Sequence, residues 1–339
     1  MTKELRVRVV ELKGDAYQIG VAQGKEILGT QLREQLEFVY NIAHETKAEE
    51  ARVELQNIAP ALLTELEGLA DGLETDVETA IRIYAGYDVE FPHMGCTALV
   101  QNGFYARNYD FSHELYDARL VFMQPETGYA SVGFSQQVTG RLDGMNEKGL
   151  VVGLHFVNNR YRGKGFMATT IVRMLLERCA DIEEAMELIA QVPHGYCYNY
   201  SMTDSSGKAV IVEAAPGRQA VRQLDQLVCT NHFESTELQG MNRDAIAGSL
   251  NRKRHAKELA NEDLSPLSIY ASLNGRKSPL FFQDYESFFG TLHTVIYSPN
   301  DLTLLVGVGV DCEPRFVSLH DYIAGKAILP KTICGSIDV

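Results

Sequence analysis

His93-Met94-Gly95-Cys96-Thr97-Ala98-Leu99-Val100-Gln101-Asn102-Gly103-Phe104-Tyr105-Ala106-Arg107-Asn108-Tyr109-Asp110 decides how this chain is read. Asn102-Gly103 is the strongest two-residue type I′ turn signal, and it separates two short apolar-rich runs, Thr97 to Val100 and Phe104 to Arg107. With that turn, Gln101 faces Phe104, and counting outward puts Ala98 opposite Arg107 and Cys96 opposite Tyr109. Residues directly opposite share a face, and side chains alternate along a strand. Arg107 is therefore expected on the face of Cys96 as a diagonal neighbour. Asp110 is expected to point to the other face, beside the backbone nitrogen of Cys96. A carboxylate there could hold an α-amino group, so Cys96 reads as a cysteine that becomes a chain terminus.

Each residue alone has a plainer reading. A buried cysteine is commonly a small apolar filler, and an arginine with an aspartate is commonly a surface ion pair of little consequence. Their joint placement around one sulfur at a hairpin end favours chemistry.

Gly95-Cys96-Thr97 and Arg107-Asn108-Tyr109-Asp110 resemble the motifs of the N-terminal-nucleophile hydrolases of the choloylglycine hydrolase and penicillin V acylase type, which act on linear amide C–N bonds. The resemblance is closest to the long-propeptide branch typified by acyl-coenzyme A:6-aminopenicillanic acid acyltransferase. Leu12 to Gly24, with Gly14, Gly20 and Gly24, resembles the glycine-spaced start of that branch's propeptide, and Glu65 to Gly72 its later helix. Asp143-Gly144-Met145-Asn146-Glu147-Lys148-Gly149-Leu150, followed by Gly153-Leu154-His155-Phe156, resembles the shared central motif. Thr230-Asn231 and Ser249-Leu250-Asn251-Arg252 match the later asparagine and arginine positions.

This resemblance implies a precursor that cuts its own Gly95-Cys96 bond, giving an α chain of residues 1–95 and a β chain of residues 96–339. Glycine before the cut adopts unusual backbone conformations cheaply. The freed α-amine, with a reference pKa of roughly 7.7 to 8.0 against about 8.5 for a thiol, would serve as base for its own side chain. Arg107 would favour the thiolate, and Asp110 would orient the amine. Asn231 would donate its amide to the oxyanion, where one donor is typically worth about 100 to 1000-fold in rate. Arg252 would complete the charge network. His155 stands where relatives often carry asparagine or tyrosine, and would contribute its backbone N–H to the oxyanion hole; its plainer reading is a strand-end histidine with ordinary hydrogen bonds. The implied fold is α+β, the four-layer αββα sandwich of two antiparallel sheets between helices, with a mainly helical prosegment. Pattern alone supports only α+β.

The 339 residues are 45% hydrophobic, enough for a substantial core read as one composite fold of two subdomains. A net charge of −14 argues against nucleic acid or an anionic membrane surface as main partner. Cysteines at 96, 179, 197, 229, 312 and 334 form no C-x-x-C pair, so neither a zinc site nor a disulfide framework is indicated and no cofactor is expected. The N-terminus lacks the apolar stretch of a secretory signal, and no run approaches membrane-spanning length. Cytoplasmic location is the default, and it would keep Cys96 reduced.

Residues 17–45 and 53–87 have mainly helical patterning, with Leu28, Leu32, Leu36 and Val39 expected to pack inward. After Cys96 the pattern turns to short β-type runs such as Leu120 to Met123 and Leu150 to Leu154. Met167 to Ala180 and Ile182 to Gln191 read as helices, the second behind an Asp181 cap. Cys197 to Thr203, Ala209 to Glu213 and Leu227 to Thr230 read as strands, with a Ser205-Ser206-Gly207 turn. Ser249 could cap a helix through Leu259 with Arg252 in its first turn and Lys253 and Lys257 on a solvated face. Thr294 to Tyr297 and Leu302 to Val306 read as a hairpin around Ser298-Pro299-Asn300-Asp301.

The reading that follows is a self-processed cysteine amidase or acyltransferase taking a small N-acyl amide, with an acyl thioester as a further donor class and a homo-oligomer left open. Two others stay beside it: a non-catalytic binding protein that keeps the fold, and a papain-like Cys–His hydrolase, although the surroundings of Cys96 lack that family's signature. Nucleotide binding is weaker, because Gly307-Val308-Gly309 lacks a third glycine and a following helix.

Overall fold

Leu5, Val7 and Val9 share one face of the opening segment and Val10 and Leu12 the other, a pattern that suits a strand covered on both sides. In the computed structural model, which describes residues 2–43, 48–89, 94–287 and 289–339, that segment is β1 (Thr2–Gly14). It is followed by α1 (Ala16–Ile27), α2 (Gln31–Ala43), α3 (Ala48–Ile58), α4 (Pro60–Leu73) and α5 (Val77–Tyr84). Then come β2 (Gly95–Gln101), β3 (Phe104–Phe111), β4 (Arg119–Pro125), β5 (Ser131–Gln136), β6 (Gly140–Arg141), β7 (Asp143–Asn146) and β8 (Val151–Asn158). Helices α6 (Ala168–Arg178) and α7 (Ile182–Gln191) lead to β9 (Cys197–Thr203), β10 (Ala209–Ala215), β11 (Arg218–Gln223) and β12 (Val228–Cys229). Helices α8 (Ala247–Ala260) and α9 (Pro266–Asn274) precede β13 (Gln283–Asp284), β14 (Phe289–Ser298), β15 (Thr303–Val308), β16 (Arg315–Ser318), α10 (Leu319–Ile323) and β17 (Thr332–Asp338).

A ten-stranded sheet runs β11-β10-β9-β8-β7-β5-β4-β1-β17, with β6 on β5. A seven-stranded sheet runs β12-β2-β3-β14-β15-β16, with β13 on β14. The sheets meet where β2 packs on β8; α6 lies against β5 to β8 of the first, and α8 and α9 lie against β2, β3, β12, β14 and β15 of the second. This is the expected α+β, four-layer αββα arrangement. Gly153 on β8 allows the close approach of the sheets, since a Cβ there would stand 2.1 Å from Tyr105 Oη and 2.9 Å from Arg107 Nη1.

The glycine-spaced stretches also explain themselves by contact. Helices α1 and α4 meet backbone to backbone: a Cβ on Gly20 would lie 1.9 Å from Glu65 O, one on Gly68 2.1 Å from Tyr17 O, and one on Gly72 2.5 Å from Val21 O. Asp15 begins α1 with a reciprocal capping box to Gln18. Buried beside this seam, Glu65 of α4 forms a two-point ion pair with Arg173 of α6, at 3.0 and 2.8 Å, while Arg173 also binds Glu177 at 2.8 Å and Gln23 binds Glu65 at 2.7 Å. Helices α1 and α4 are thereby fastened to α6 by charge as well as packing.

The stretches 17–45 and 53–87 are mainly helical, as their patterning predicts, with interruptions: the first leaves the helical path at Leu28 (ψ 125°) and turns at Gly29 (φ 70°), and the second is broken before Pro60 and again at Glu74, which adopts φ 57°. Leu28 does not pack inward: it lies at the C-cap of α1, 37% exposed, whereas Leu36 is buried. The side chain of Val39, and His93 of the opening stretch, lie outside the described residues.

Candidate active site

The hairpin forms in the register read from its turn. Asn102 and Gly103 take φ 49° and 77°, and Gln101 pairs with Phe104, Ala98 with Arg107, Cys96 with Tyr109 and Gly95 with Asp110. Alternation then sorts the site onto two faces. Toward the other sheet, Arg107 Nη2 donates to Cys96 Sγ at 3.1 Å. Toward the α8–α9 layer, Asp110 Oδ1 accepts from Thr291 Oγ1 at 2.7 Å. Its Oδ2 is buried without a hydrogen bond, 3.8 Å from Arg252 and beside Gly95, where a Cβ would come within 3.0 Å of it.

The backbone of Cys96 is held between these faces. Strand β12 pairs with β2 through Cys229 and Ala98, so Asn231, two residues further on, comes alongside Cys96. Its Oδ1 accepts from Cys96 N at 2.9 Å and from Arg252 Nη2 at 2.8 Å. Arg252 Nη1 donates to Cys96 O at 2.6 Å and to Thr97 Oγ1 at 2.9 Å. The Asn231 amide Nδ2 donates to Phe156 O of β8 at 2.8 Å and approaches Met94 O, two residues before the cysteine, at 3.5 Å, so in the continuous chain it is engaged by backbone carbonyls. Cys96, Arg107, Asp110, Asn231 and Arg252 are thus gathered from β2, β3, the loop after β12, and α8, and all are buried.

His155 joins them from β8, where it pairs with Asn199 in the ladder. Its Nε2 lies 2.8 Å from Ser201 Oγ and 3.4 Å from Arg107 Nη1. Burial, then the charge of Arg107, hold its pKa well below the usual imidazole range, so the ring is neutral. Among the described residues, Cys96 Sγ is met by Arg107 rather than by a histidine ring.

Electrostatics in the continuous chain are governed by burial. It pushes the Cys96 thiol up to about 11, outweighing the opposing pull of Arg107 and Arg252. The expected bias of Arg107 toward thiolate is present, but burial is the larger effect. Burial also raises Asp110 against the pull of Arg252 and the hydrogen bond from Thr291. Asp143 goes the other way: burial would raise it, yet the hydrogen bond from His293, then the charge of Arg107 and the hydrogen bond from Tyr297, hold it below the usual carboxylate value.

Sequence reasoning placed three α8 residues incorrectly. Ser249 is inside the helix, whose N-cap is Ile246; its Oγ accepts from Asn231 N at 2.8 Å and so fixes the loop after β12. Arg252 is consequently one turn further in than expected. Lys253 is buried and paired with Glu234, which also binds Arg222, whereas Lys257 is exposed as expected. Four site residues were missed: Asp143, which forms a buried ion pair with Arg107 Nε at 2.9 Å, together with His293, Tyr297 and Thr291. Asp143 stood inside a quoted motif, and a histidine within the apolar run of β14 was the available signal for the second.

The segment from Tyr84 to Val89 is also secured. Thr139 Oγ1 donates to Tyr84 O at 2.6 Å, Thr170 Oγ1 to Ala85 O at 3.0 Å, Met167 N to Gly86 O at 2.7 Å, and Tyr196 Oη to Val89 O at 2.6 Å. Among the described residues no group of three or more His, Cys, Asp or Glu could hold a metal, and no helix is long and apolar enough to cross a membrane.

No curated protein matches the sequence. Among solved structures the chain is similar to a mutant of the conjugated bile acid hydrolase from Clostridium perfringens, at 12% identity and a TM-score of 0.51 over 73% of this chain and 97% of that one. It is also similar to penicillin V acylase from Agrobacterium tumefaciens (17% identity, 66% and 86% covered, TM-score 0.44) and to the N-acylethanolamine-hydrolyzing acid amidase ortholog of Caenorhabditis elegans (17%, 60% and 93%, 0.41). The bile acid hydrolase likeness is one of fold, that of the N-terminal-nucleophile hydrolases. The profile of the acyl-coenzyme A:6-aminopenicillanic acid acyl-transferase family matches residues 99–311, well over half of the sequence. The chain therefore belongs to the acyl-coenzyme A:6-aminopenicillanic acid acyl-transferase family.

Proposed function

We propose that this protein is a self-processing cysteine amidase or acyltransferase, in which a cut before Cys96 yields chains 1–95 and 96–339 and frees the nucleophile. The observation that carries this reading is the convergence on one residue: Arg107 on the sulfur, Asn231 on the nitrogen, Arg252 on the carbonyl, and a carboxylate oxygen of Asp110 that takes no hydrogen bond beside Gly95.

In the cut, Cys96 Sγ attacks the Gly95 carbonyl carbon. The C–N bond breaks as the nitrogen takes a proton, leaving Gly95 as a thioester on Cys96; water then releases the Gly95 carboxylate and the thiol. Asp110, its pKa raised by burial, suits the role of proton carrier. In turnover the freed amine, oriented by Asp110, takes the thiol proton while the sulfur attacks a linear N-acyl amide. The Asn231 amide and the His155 backbone N–H stabilise the oxyanion. The amine leaves, and water or an amine or thiol acceptor captures the acyl group. An acyl thioester enters by the same route. All six cysteines are unpaired, which suits a reducing, cytoplasmic setting.

Intact mass under denaturing conditions tests the reading: two chains divided before Cys96 are expected, with Cys96→Ala left whole. A thiol-dependent screen of N-acyl amides of graded acyl length then identifies the substrate. A wild-type chain that stays whole on prolonged incubation overturns the proposal.

A further inference from the structure

Arg107 is the charged partner of the Cys96 sulfur, yet its guanidinium is itself held from behind. Its Nε lies 2.9 Å from Asp143 Oδ2, while Nη2 reaches Cys96 Sγ at 3.1 Å. The same Asp143 oxygen lies 3.2 Å from His293 Nε2, and its other oxygen accepts from Tyr297 Oη at 2.7 Å. His293 Nδ1 lies 2.9 Å from Tyr116 Oη. Cys96, Arg107, Asp143, His293 and Tyr297 are each 0% exposed, so water does not compete for these bonds.

An irregularity in β14 places His293 there. Thr291 pairs with Asp110 and His293 with Tyr109, so two residues of β14 advance for one of β3. In a regular strand positions 291 and 293 would share a face; the extra residue sends them to opposite faces. Thr291 consequently serves Asp110 on the helix side, and His293 serves Asp143 between the sheets. One local insertion thus supplies a partner to Asp110 on one face and to Asp143, behind Arg107, on the other.

The ring of His293 is clamped. It stacks on Phe134 at 3.6 Å and 7°, with Tyr109 at 5.2 Å and Tyr116 at 5.8 Å, also stacked. Burial keeps it neutral. A carboxylate only accepts, so Nε2 carries the proton and donates to Asp143, and the bare Nδ1 accepts from Tyr116. Both nitrogens are satisfied in one tautomer, and neither touches the sulfur.

We propose that His293 is a positioning residue for the Cys96 thiol, acting through Asp143 and Arg107. Its donated hydrogen bond takes part of the negative charge of Asp143, so less of the Arg107 charge is cancelled from behind and more of it faces the sulfur. Losing that donor turns Arg107 toward Asp143 and makes the thiolate harder to form.

The inference rests on the proposed function in taking Cys96 as the working nucleophile. The test is the pH profile of Cys96 alkylation, read by mass on the protein as isolated, cut or whole. His293→Phe keeps the stack on Phe134 and removes both nitrogens; its alkylation midpoint is expected to rise by about one pH unit, a roughly tenfold slower reaction at a fixed lower pH. His293→Gln, which can still donate to Asp143 and accept from Tyr116, is expected to restore most of the difference. Tyr116→Phe, which deletes only the outer link, is expected to move the midpoint less and in the same direction, and with His293→Gln decides the matter if His293→Phe does not fold. A folded His293→Phe protein with the wild-type midpoint overturns the inference, as does a wild-type Cys96 that no pH makes reactive. An uncut wild-type chain overturns the proposed function instead, and leaves the comparison of midpoints to decide this one.

Discussion

The backbone nitrogen of Cys96 donates to the side-chain oxygen of Asn231 at 2.9 Å, across 135 residues of sequence. The same oxygen accepts from Arg252, so one amide fixes both the nitrogen that would leave in a cut and the arginine that holds the following carbonyl. Asn231→Ala is expected to slow formation of the two chains by about 100 to 1000-fold, the usual value of a preorganised polar contact at a reacting carbonyl. A time course of intact mass measures this. Cutting at the wild-type rate would remove Asn231 from the mechanism.

Acidity should change when the chain is divided. In the continuous chain burial lifts the thiol to about 11, so the thiolate forms only as pH rises toward that value. Cys96 in the whole Asn231→Ala chain should therefore alkylate slowly at neutral pH and rapidly only in strong base. In the divided protein the base is the new amine, which must be unprotonated; activity should rise with pH through roughly 7.7 to 8.0. A rate that falls as pH rises through that range contradicts the self-base.

Arg173 joins α6 to Glu65 of α4 inside the protein. Arg173→Met leaves Glu65 and Glu177 buried without their cation, and should cost about 3–5 kcal/mol in urea unfolding at neutral pH. A loss below about 1 kcal/mol would mean that water reaches the carboxylates.

The α1–α4 seam makes a steric prediction with its own control. Gly68→Ala drives a methyl to 2.1 Å from the Tyr17 carbonyl, and overpacking of this kind costs about 1–3 kcal/mol or more. Gly240→Ala, where a Cβ meets nothing within 4 Å, should leave thermal unfolding nearly unchanged. Equal melting temperatures for the two variants would refute the close approach.

Tyr196→Phe removes the hydroxyl that holds Val89 O, six residues before Gly95. One such hydrogen bond is worth about 0.5–1.5 kcal/mol, so cutting should slow by up to about tenfold with little change in turnover by protein already cut. Separate rates for cutting and turnover distinguish this from a defect in the catalytic residues.

What could be read in the letters was set by short-range physics. A two-residue turn fixes its own register, so the faces of Cys96, Arg107 and Asp110 followed from Asn102-Gly103; the Asp181 cap likewise fixed the start of α7. The β14–β15 hairpin followed from its Pro-Asn-Asp turn. Asn231 and Arg252 came from family resemblance. No local signal brings them to Cys96, because β12 is only two residues long and α8 carries Arg252 and Lys253 on buried positions that the charge run disguised. The β14 irregularity that turns His293 toward Asp143 has no signature in composition. Strand β1 was missed because its apolar residues change face between Val9 and Val10, which breaks the alternation that marks a half-buried strand.

That strand has a consequence for the molecule's life after cutting. Residues 2–8 pair with β17 and residues 8–14 with β4, and β17 has no other neighbour in the sheet order, so the last strand of the chain hangs from the first. A division at Gly95 would put these two strands on separate polypeptides held as one object by noncovalent bonds: the ladder, packing and the buried Glu65–Arg173 ion pair. Assembly would then have to come first and division second, like a lock closed before its key is broken off. Heat could undo the assembly, but cooling could not restore it from fragments that were never folded apart.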